Sequence, residues 1–226
     1  SAANVGQFQD AMRAVLDTGK DIVCVCFSSA LSTTYQSATI AADDLRADYP
    51  EREIYVVDSL SASLGQGLLL YLTVQQKRAG LSAKELADWV VSNRLSVDHW
   101  FTVDDLNHLK RGGRINAATA LFGTMLAIKP VMHVDDEGRL IPVSKARGRK
   151  ASLTALVDRM EATAIDPAGQ TVFISHGDCL EDAEFVAGEV RRRLGVETVH
   201  INYVGPVIGN HSGPGTMALF FLGSER

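Results

Sequence analysis

What the chain lacks narrows its class before any motif is considered. Its three cysteines, Cys24, Cys26 and Cys179, are too few for a disulfide framework, and no C-x-x-C pair or zinc-spaced histidine cluster offers a metal site. Cys24 and Cys26 lie two apart in an apolar run, so on a strand they share a face and read as small buried residues. This usage fits a reducing cytoplasm, where the chain is expected to work. Positive charge is in deficit, with 22 Lys and Arg against 27 Asp and Glu and a formal net charge of -5, which argues against nucleic-acid binding through bulk charge. No apolar run reaches membrane-spanning length, and the amino terminus carries no signal-peptide pattern. A Walker loop is missing, which argues against nucleotide binding of that kind. What remains is ordinary for a folded protein: 46% hydrophobic and 22% charged residues over 226 positions, enough for one large domain or two small ones.

Hydrophobic patterning organises the chain. Residues 7–18 place Phe8, Met12, Val15 and Leu16 on one helical face, and Gly19 closes that helix. Ile22-Val23-Cys24-Val25-Cys26-Phe27 reads as a buried strand, followed by the turn Ser28-Ser29-Ala30-Leu31-Ser32-Thr33-Thr34-Tyr35-Gln36-Ser37 and a helix that Pro50 ends. Ile54-Tyr55-Val56-Val57-Asp58 repeats the arrangement, with a Ser/Gly-rich turn and a long helix through Arg78. Two successive units of this kind imply a parallel sheet with right-handed crossovers. Ser82 with Glu85 three residues later forms a capping-box signature for a further helix. From about residue 96 the pattern changes. Strands at 129–134 and 140–143, joined by Asp135-Asp136-Glu137-Gly138, read as a local antiparallel pair, and strands and helices alternate beyond them. The expected fold class is α/β in two domains: residues 1–95 with a parallel sheet and flanking helices, and residues 96–226 with a mixed sheet and helices.

Three stretches are unusual for simple connections. The hydroxyl turn sits between a strand's carboxyl end and a helix's amino end, where an anion is favoured; its hydroxyls equally suit a helix cap. The basic turn Lys110-Arg111-Gly112-Gly113-Arg114, with Lys145, Arg147, Arg149 and Lys150 downstream, offers planar forks for phosphate or carboxylate, or a solvated charged surface. The Gly/Pro-dense loop at 205–215 holds one imidazole, His211, which either marks a tight turn or bonds an anion. His108, His133, His176 and His200 have no sequence-spaced partners and read as structural. Ser28 or Ser29, Asp58 and His211 follow the chain order of an α/β-hydrolase triad, but the elbow Gly-x-Ser-x-Gly is absent, since Phe27-Ser28-Ser29-Ala30 stands there.

Taken together, six stretches in order resemble the DegV family of bacterial fatty-acid-binding proteins, which includes the binding subunits of the two-component fatty acid kinase. They are the turn from Ser28 to Ala38, Val57-Asp58-Ser59-Leu60-Ser61 with Gly65-Gln66-Gly67, residues 109–115, Ile128-Lys129-Pro130, Lys145-Ala146-Arg147-Gly148, and residues 205–215. The resemblance implies two α/β domains with one fatty acid between them. It implies a carboxylate held by Ser29, the backbone N–H of Ala30, His211 and, less directly, Ser28. Arg114 and Arg147 become candidates for docking a kinase or orienting its phosphoryl group. Ala30 and Thr33 stand where the family usually has glycine, and the family's opening strand with Asp-Ser and its later Thr-Ser dipeptide are not found. The resemblance thus leads us to expect that an N-terminal portion of the first domain is absent from this sequence.

The expected activity is that of a cytoplasmic carrier. It binds a long-chain fatty acid of the C16 to C18 class and presents the carboxylate to an ATP-dependent fatty acid kinase, with transient membrane contact conceivable for such a role. No cofactor, metal or nucleic acid is expected, and catalysis falls to the partner. The competing class is a serine hydrolase acting on an acyl ester through Ser29 and His211.

Overall fold

The computed structural model describes residues 2–115 and 127–226. Helix α1 (Val5–Leu16) opens on a reciprocal capping box between Asn4 and Gln7, and it buries Met12 and Leu16. Strand β1 (Ile22–Cys26), helix α2 (Thr34–Asp48), strand β2 (Ile54–Asp58) and helix α3 (Ser63–Arg78) follow. The two strands pair in parallel from Ile22 with Ile54 to Cys26 with Asp58, so both end at the same edge. The turns that follow the two strands therefore leave from one edge.

The small residues Ala38, Ala41 and Ala42 let α2 lie close on the sheet, where they form one core with Met12, Leu16, Cys26, Leu45 and Ile54. The opposite face is covered by α3 and by α4 (Ala83–Asn93), whose Ser82/Glu85 capping box is formed as the sequence predicts.

A six-stranded mixed sheet follows, in the order β5-β4-β3-β8-β6-β7. It comprises β3 (Val97–Thr102), β4 (Ile128–Val134), β5 (Leu140–Arg147), β6 (Thr171–His176), β7 (Thr198–Tyr203) and β8 (Met217–Leu222). Only β6 and β7 are parallel to each other. Helices α6 (Arg149–Thr163) and α7 (Leu180–Leu194) cover one face, and α3 and α5 (Leu106–Arg111) lie on the other. The central strand β8 divides its side chains by the period of two: Met217, Leu219 and Phe221 join the core under α6 and α7, whereas Ala218 and Phe220 join the core shared with α3.

Two expectations are corrected. The strand predicted at 140–143 runs to Arg147, because Ser144, Lys145, Ala146 and Arg147 continue to pair with β4 past an irregularity at Val131/Met132. The Gly/Pro loop contains a helix, α8 (Pro206–Ser212), flanked by Gly205 and Gly213. Proline is tolerated at the first helical position, where its missing N–H would have no partner, and Gly213 at φ +82 ends the helix.

Candidate functional site

The common edge of β1 and β2 is built on hydrogen bonds between its two turns. Ser59 N–H donates to Cys26 O, and Ser28 N–H donates to Ser61 O. The Asp58 carboxylate accepts from the N–H groups of Ser29, at 3.2 Å, and Leu60, at 3.0 Å. The hydroxyls of the Ser28–Ser37 turn have separate tasks. Ser32 Oγ accepts from Thr34 N–H at the start of α2, but the N-cap residue Thr33 makes no side-chain capping bond, so the hydroxyls do not form the helix cap that the sequence also allowed. Ser28 is fully buried, and its Oγ donates to the carbonyl of Gly138, 2.9 Å away in the hairpin between β4 and β5. Ala30 N–H approaches the same Oγ at 3.3 Å. Ser29 is exposed and faces a cavity.

That cavity, of about 800 Å³, lies between the two sheets. Its apolar wall includes Phe27, Leu31, Phe101, Leu109, Val134, Leu140, Ala218 and Phe220, and Val207 and Ile208 of α8 flank it. Its size falls in the range of small-molecule sites. At the floor, the hydroxyls of Ser63 and Ser175 lie 3.0 Å apart, joining α3 to β6. His99 also reaches the floor. Its Nδ1 lies 2.8 Å from Val97 O, and its Nε2 accepts the Ala62 N–H at 3.4 Å. Burial, reinforced by the nearby Arg226 guanidinium, holds this imidazole neutral, well below its usual pKa.

Arg114 and His211 line the cavity with Ser29; Ser29 and Arg114 are exposed and His211 is half-buried, so this side of the cavity meets solvent and forms its mouth. Arg114 Nε donates to Leu31 O at 3.3 Å and its guanidinium also bonds Gly112 O, which ties the basic turn to the hydroxyl turn. His211 is partly buried, and its pKa is lowered first by desolvation and then by the charge of Arg114. Of the six site residues expected from the sequence, the structure thus gathers Ser29, Arg114 and His211 around one opening. Ser28 Oγ is directed to Gly138 O, Ala30 lies beside that contact without lining the cavity, and Arg147 is exposed at the end of β5.

Sequence reading missed the floor residues His99, Ser63 and Ser175. The one signal for His99 was Gly65, where a Cβ would lie 2.1 Å from His99 Nε2. A hydrolytic triad is not assembled. Asp58 is occupied by two backbone N–H groups, and among the described residues no hydrogen bond links it to His211 or His211 to Ser29. Nor do the described residues contain a cluster of three or more His, Cys, Asp or Glu able to hold a metal ion.

These features define a class: an α/β protein with two sheets, between which an apolar cavity opens through a hydroxyl, an imidazole and a guanidinium. The model of the family described as "Uncharacterised protein, DegV family" matches residues 1–224, and the chain belongs to the DegV family. A DegV domain-containing protein of Clostridium perfringens is 45% identical over 226 residues, covering 100% of this chain and 78% of the relative. A fatty-acid-binding DegV family protein of Thermus thermophilus superposes with a TM-score of 0.86 at 29% identity, over 99% of this chain and 78% of that one. The fatty acid kinase (Fak) B3 protein of Streptococcus pneumoniae, solved with linoleic acid, shares the fold at a TM-score of 0.87 and 21% identity, over 98% of this chain and 77% of that one.

Proposed function

We propose that this chain binds a long-chain fatty acid and presents its carboxylate to an ATP-dependent kinase. The observation that carries the reading is the union of an apolar cavity with a polar mouth at Ser29, Arg114 and His211. The alkyl tail lies along Phe101, Leu109, Ala218 and Phe220, where each buried CH2 contributes about 0.8 kcal/mol. Its carboxylate accepts hydrogen bonds from the Ser29 hydroxyl and the His211 imidazole. Hydrogen bonds to a charged acceptor are the stronger kind. The Thermus relative's fatty-acid binding supports the ligand class, and the kinase protein among the structural neighbours supports the partner. Arg114 at the mouth and Arg147 on the exposed end of β5 serve partner docking. The phosphoryl chemistry belongs to the kinase.

Denaturing mass spectrometry of the purified protein tests this reading. Recovery of about one fatty acid per chain is expected, and Ser29→Ala with His211→Ala should lower retention by roughly tenfold or more, since the carboxylate keeps its desolvation cost and loses two donors. Covalent labelling of Ser29 by a fluorophosphonate would instead support an acyl hydrolase and overturn the carrier.

A further inference from the structure

Strand β1 carries a pair of thiols that the cavity does not use. Cys24 and Cys26 stand two apart, so both point to the face covered by α1 and α2, and their Sγ atoms lie 3.6 Å from each other. Both are free; Cys26 is 3% exposed, whereas Cys24 is half-buried. The hydrogen bond between them lowers the pKa of Cys24, and that bond together with burial raises that of Cys26, so the more accessible sulfur is also the more readily ionised. Their place on the strand matters as much. Two residues of extended chain span about 6.6 Å, more than the roughly 5.5 to 6 Å that disulfides usually bridge. Joining the sulfurs brings them from 3.6 Å to about 2.05 Å and shortens the end of β1. That end supports the cavity mouth: Phe27 lines the cavity, Cys26 O accepts Ser59 N–H, and Asp58, opposite Cys26 in the register, accepts Ser29 N–H.

We propose that hydrogen peroxide converts Cys24 and Cys26 into a reversible disulfide, which draws back Ser29 and loosens the bound fatty acid. The effect on the ligand rests on the carrier reading above; the disulfide does not. The Cys24 thiolate attacks one peroxide oxygen, the O–O bond breaks, and the other oxygen leaves as hydroxide, giving a sulfenic acid. The Cys26 sulfur then attacks the Cys24 sulfur, the S–O bond breaks, and the hydroxyl departs as water with the Cys26 proton. The two sulfurs give up two electrons and the peroxide takes them. A strained bridge is the more easily reduced kind, so a dithiol reverses the step.

Peptide mapping of the reduced, folded chain after treatment with hydrogen peroxide tests the bridge. Trypsin leaves Cys24 and Cys26 in one peptide, residues 21–46, and Cys179 in another. The first peptide should become two hydrogens lighter and resist alkylation until dithiothreitol is added. In Cys26→Ala, Cys24 should stop at a sulfenic acid that dimedone traps, and in Cys24→Ser the peptide should stay unoxidised. Oxidation of the unmodified protein should speed release of a fluorescent fatty acid by about tenfold, the scale of one lost hydrogen bond to a charged group. Dithiothreitol should restore slow release, and Cys24→Ser should not respond to peroxide. Oxidation confined to Cys179, or a bridge that leaves release unchanged, overturns the proposal. Faster release accompanied by loss of the far-ultraviolet circular dichroism spectrum is unfolding and overturns it too. A reduced protein that binds no fatty acid sinks the carrier reading instead, while the peptide map still decides the bridge.

Discussion

The imidazole of His211 occupies the space that a side chain on Gly112 would fill, its Nδ1 lying 2.3 Å from where the Cβ would stand. Gly112 has an ordinary helical φ of -71, so closeness to the ring, and not backbone freedom, makes glycine necessary there. Gly112→Ala should therefore displace His211 while leaving the chain folded. Retention of fatty acid should drop by roughly tenfold, the scale of one lost hydrogen bond to a charged group, with an unchanged far-ultraviolet circular dichroism spectrum.

The electrostatics of His211 set a pH dependence. Its pKa in the free protein is lowered by desolvation and by Arg114, and a bound carboxylate raises it. Binding then takes up a proton. Affinity should be strongest below the free-protein pKa and decline as pH rises through the higher value of the complex. Release rates of a fluorescent fatty acid at about pH 6 and about pH 8 measure this, and His211→Gln should flatten the profile. Faster release at the lower pH in the unmodified protein would contradict the assignment.

Gly138 supplies one of the contacts between the two sheets, its carbonyl accepting the Ser28 hydroxyl. It has φ +77, and a Cβ there would lie 2.2 Å from the buried Ser28 Oγ. Gly138→Ala combines strain with a broken contact and should cost on the order of 2 to 4 kcal/mol in urea unfolding. Ser28→Ala, which removes the donor and leaves the glycine, should cost about 1 to 2 kcal/mol.

Asp98 provides a stability test remote from the cavity. Burial raises its pKa to about 7, against a hydrogen bond from Thr163 Oγ1 and the charge of Arg226, which lower it. One carboxylate oxygen is buried without a hydrogen-bond partner. From the unfolded carboxylate value up to about pH 7 the native state binds the extra proton, so folding stability declines with rising pH across that window. Asp98→Asn should remove this slope and stabilise the protein at about pH 8 by a few kcal/mol, read as an upward shift of the melting temperature.

Much of the fold was legible because its signals are local. The apolar runs of β1 and β2, Gly19 after α1 and the Ser82/Glu85 box act within a few residues. Helix α8 was hidden by its own composition. Gly205, Gly209, Gly213 and Pro206 weigh toward a loop, and only the placement of Pro206 at the first helical position reverses that reading. The hydroxyl turn, the basic turn and His211 could be flagged separately from their chemistry, and the family resemblance singled out Ser29 and Arg114 within the two turns. Their convergence depends on contacts such as Arg114 Nε to Leu31 O, made between residues 83 positions apart. The role of Ser28 was illegible for the same reason, since the carbonyl it meets is 110 residues away and has no side-chain signature.

Strand β8 separates fold from selectivity along one segment of chain. Met217, Leu219 and Phe221 belong to the core beneath α6 and α7, whereas Ala218 and Phe220 face the cavity. Substitutions at alternate positions can therefore change the cavity without altering the other core, and on the proposed fatty-acid reading the strand is expected to gauge the acyl chain. Ala218→Leu should shift the fatty acids recovered by mass spectrometry toward shorter tails, with each excluded CH2 forfeiting about 0.8 kcal/mol.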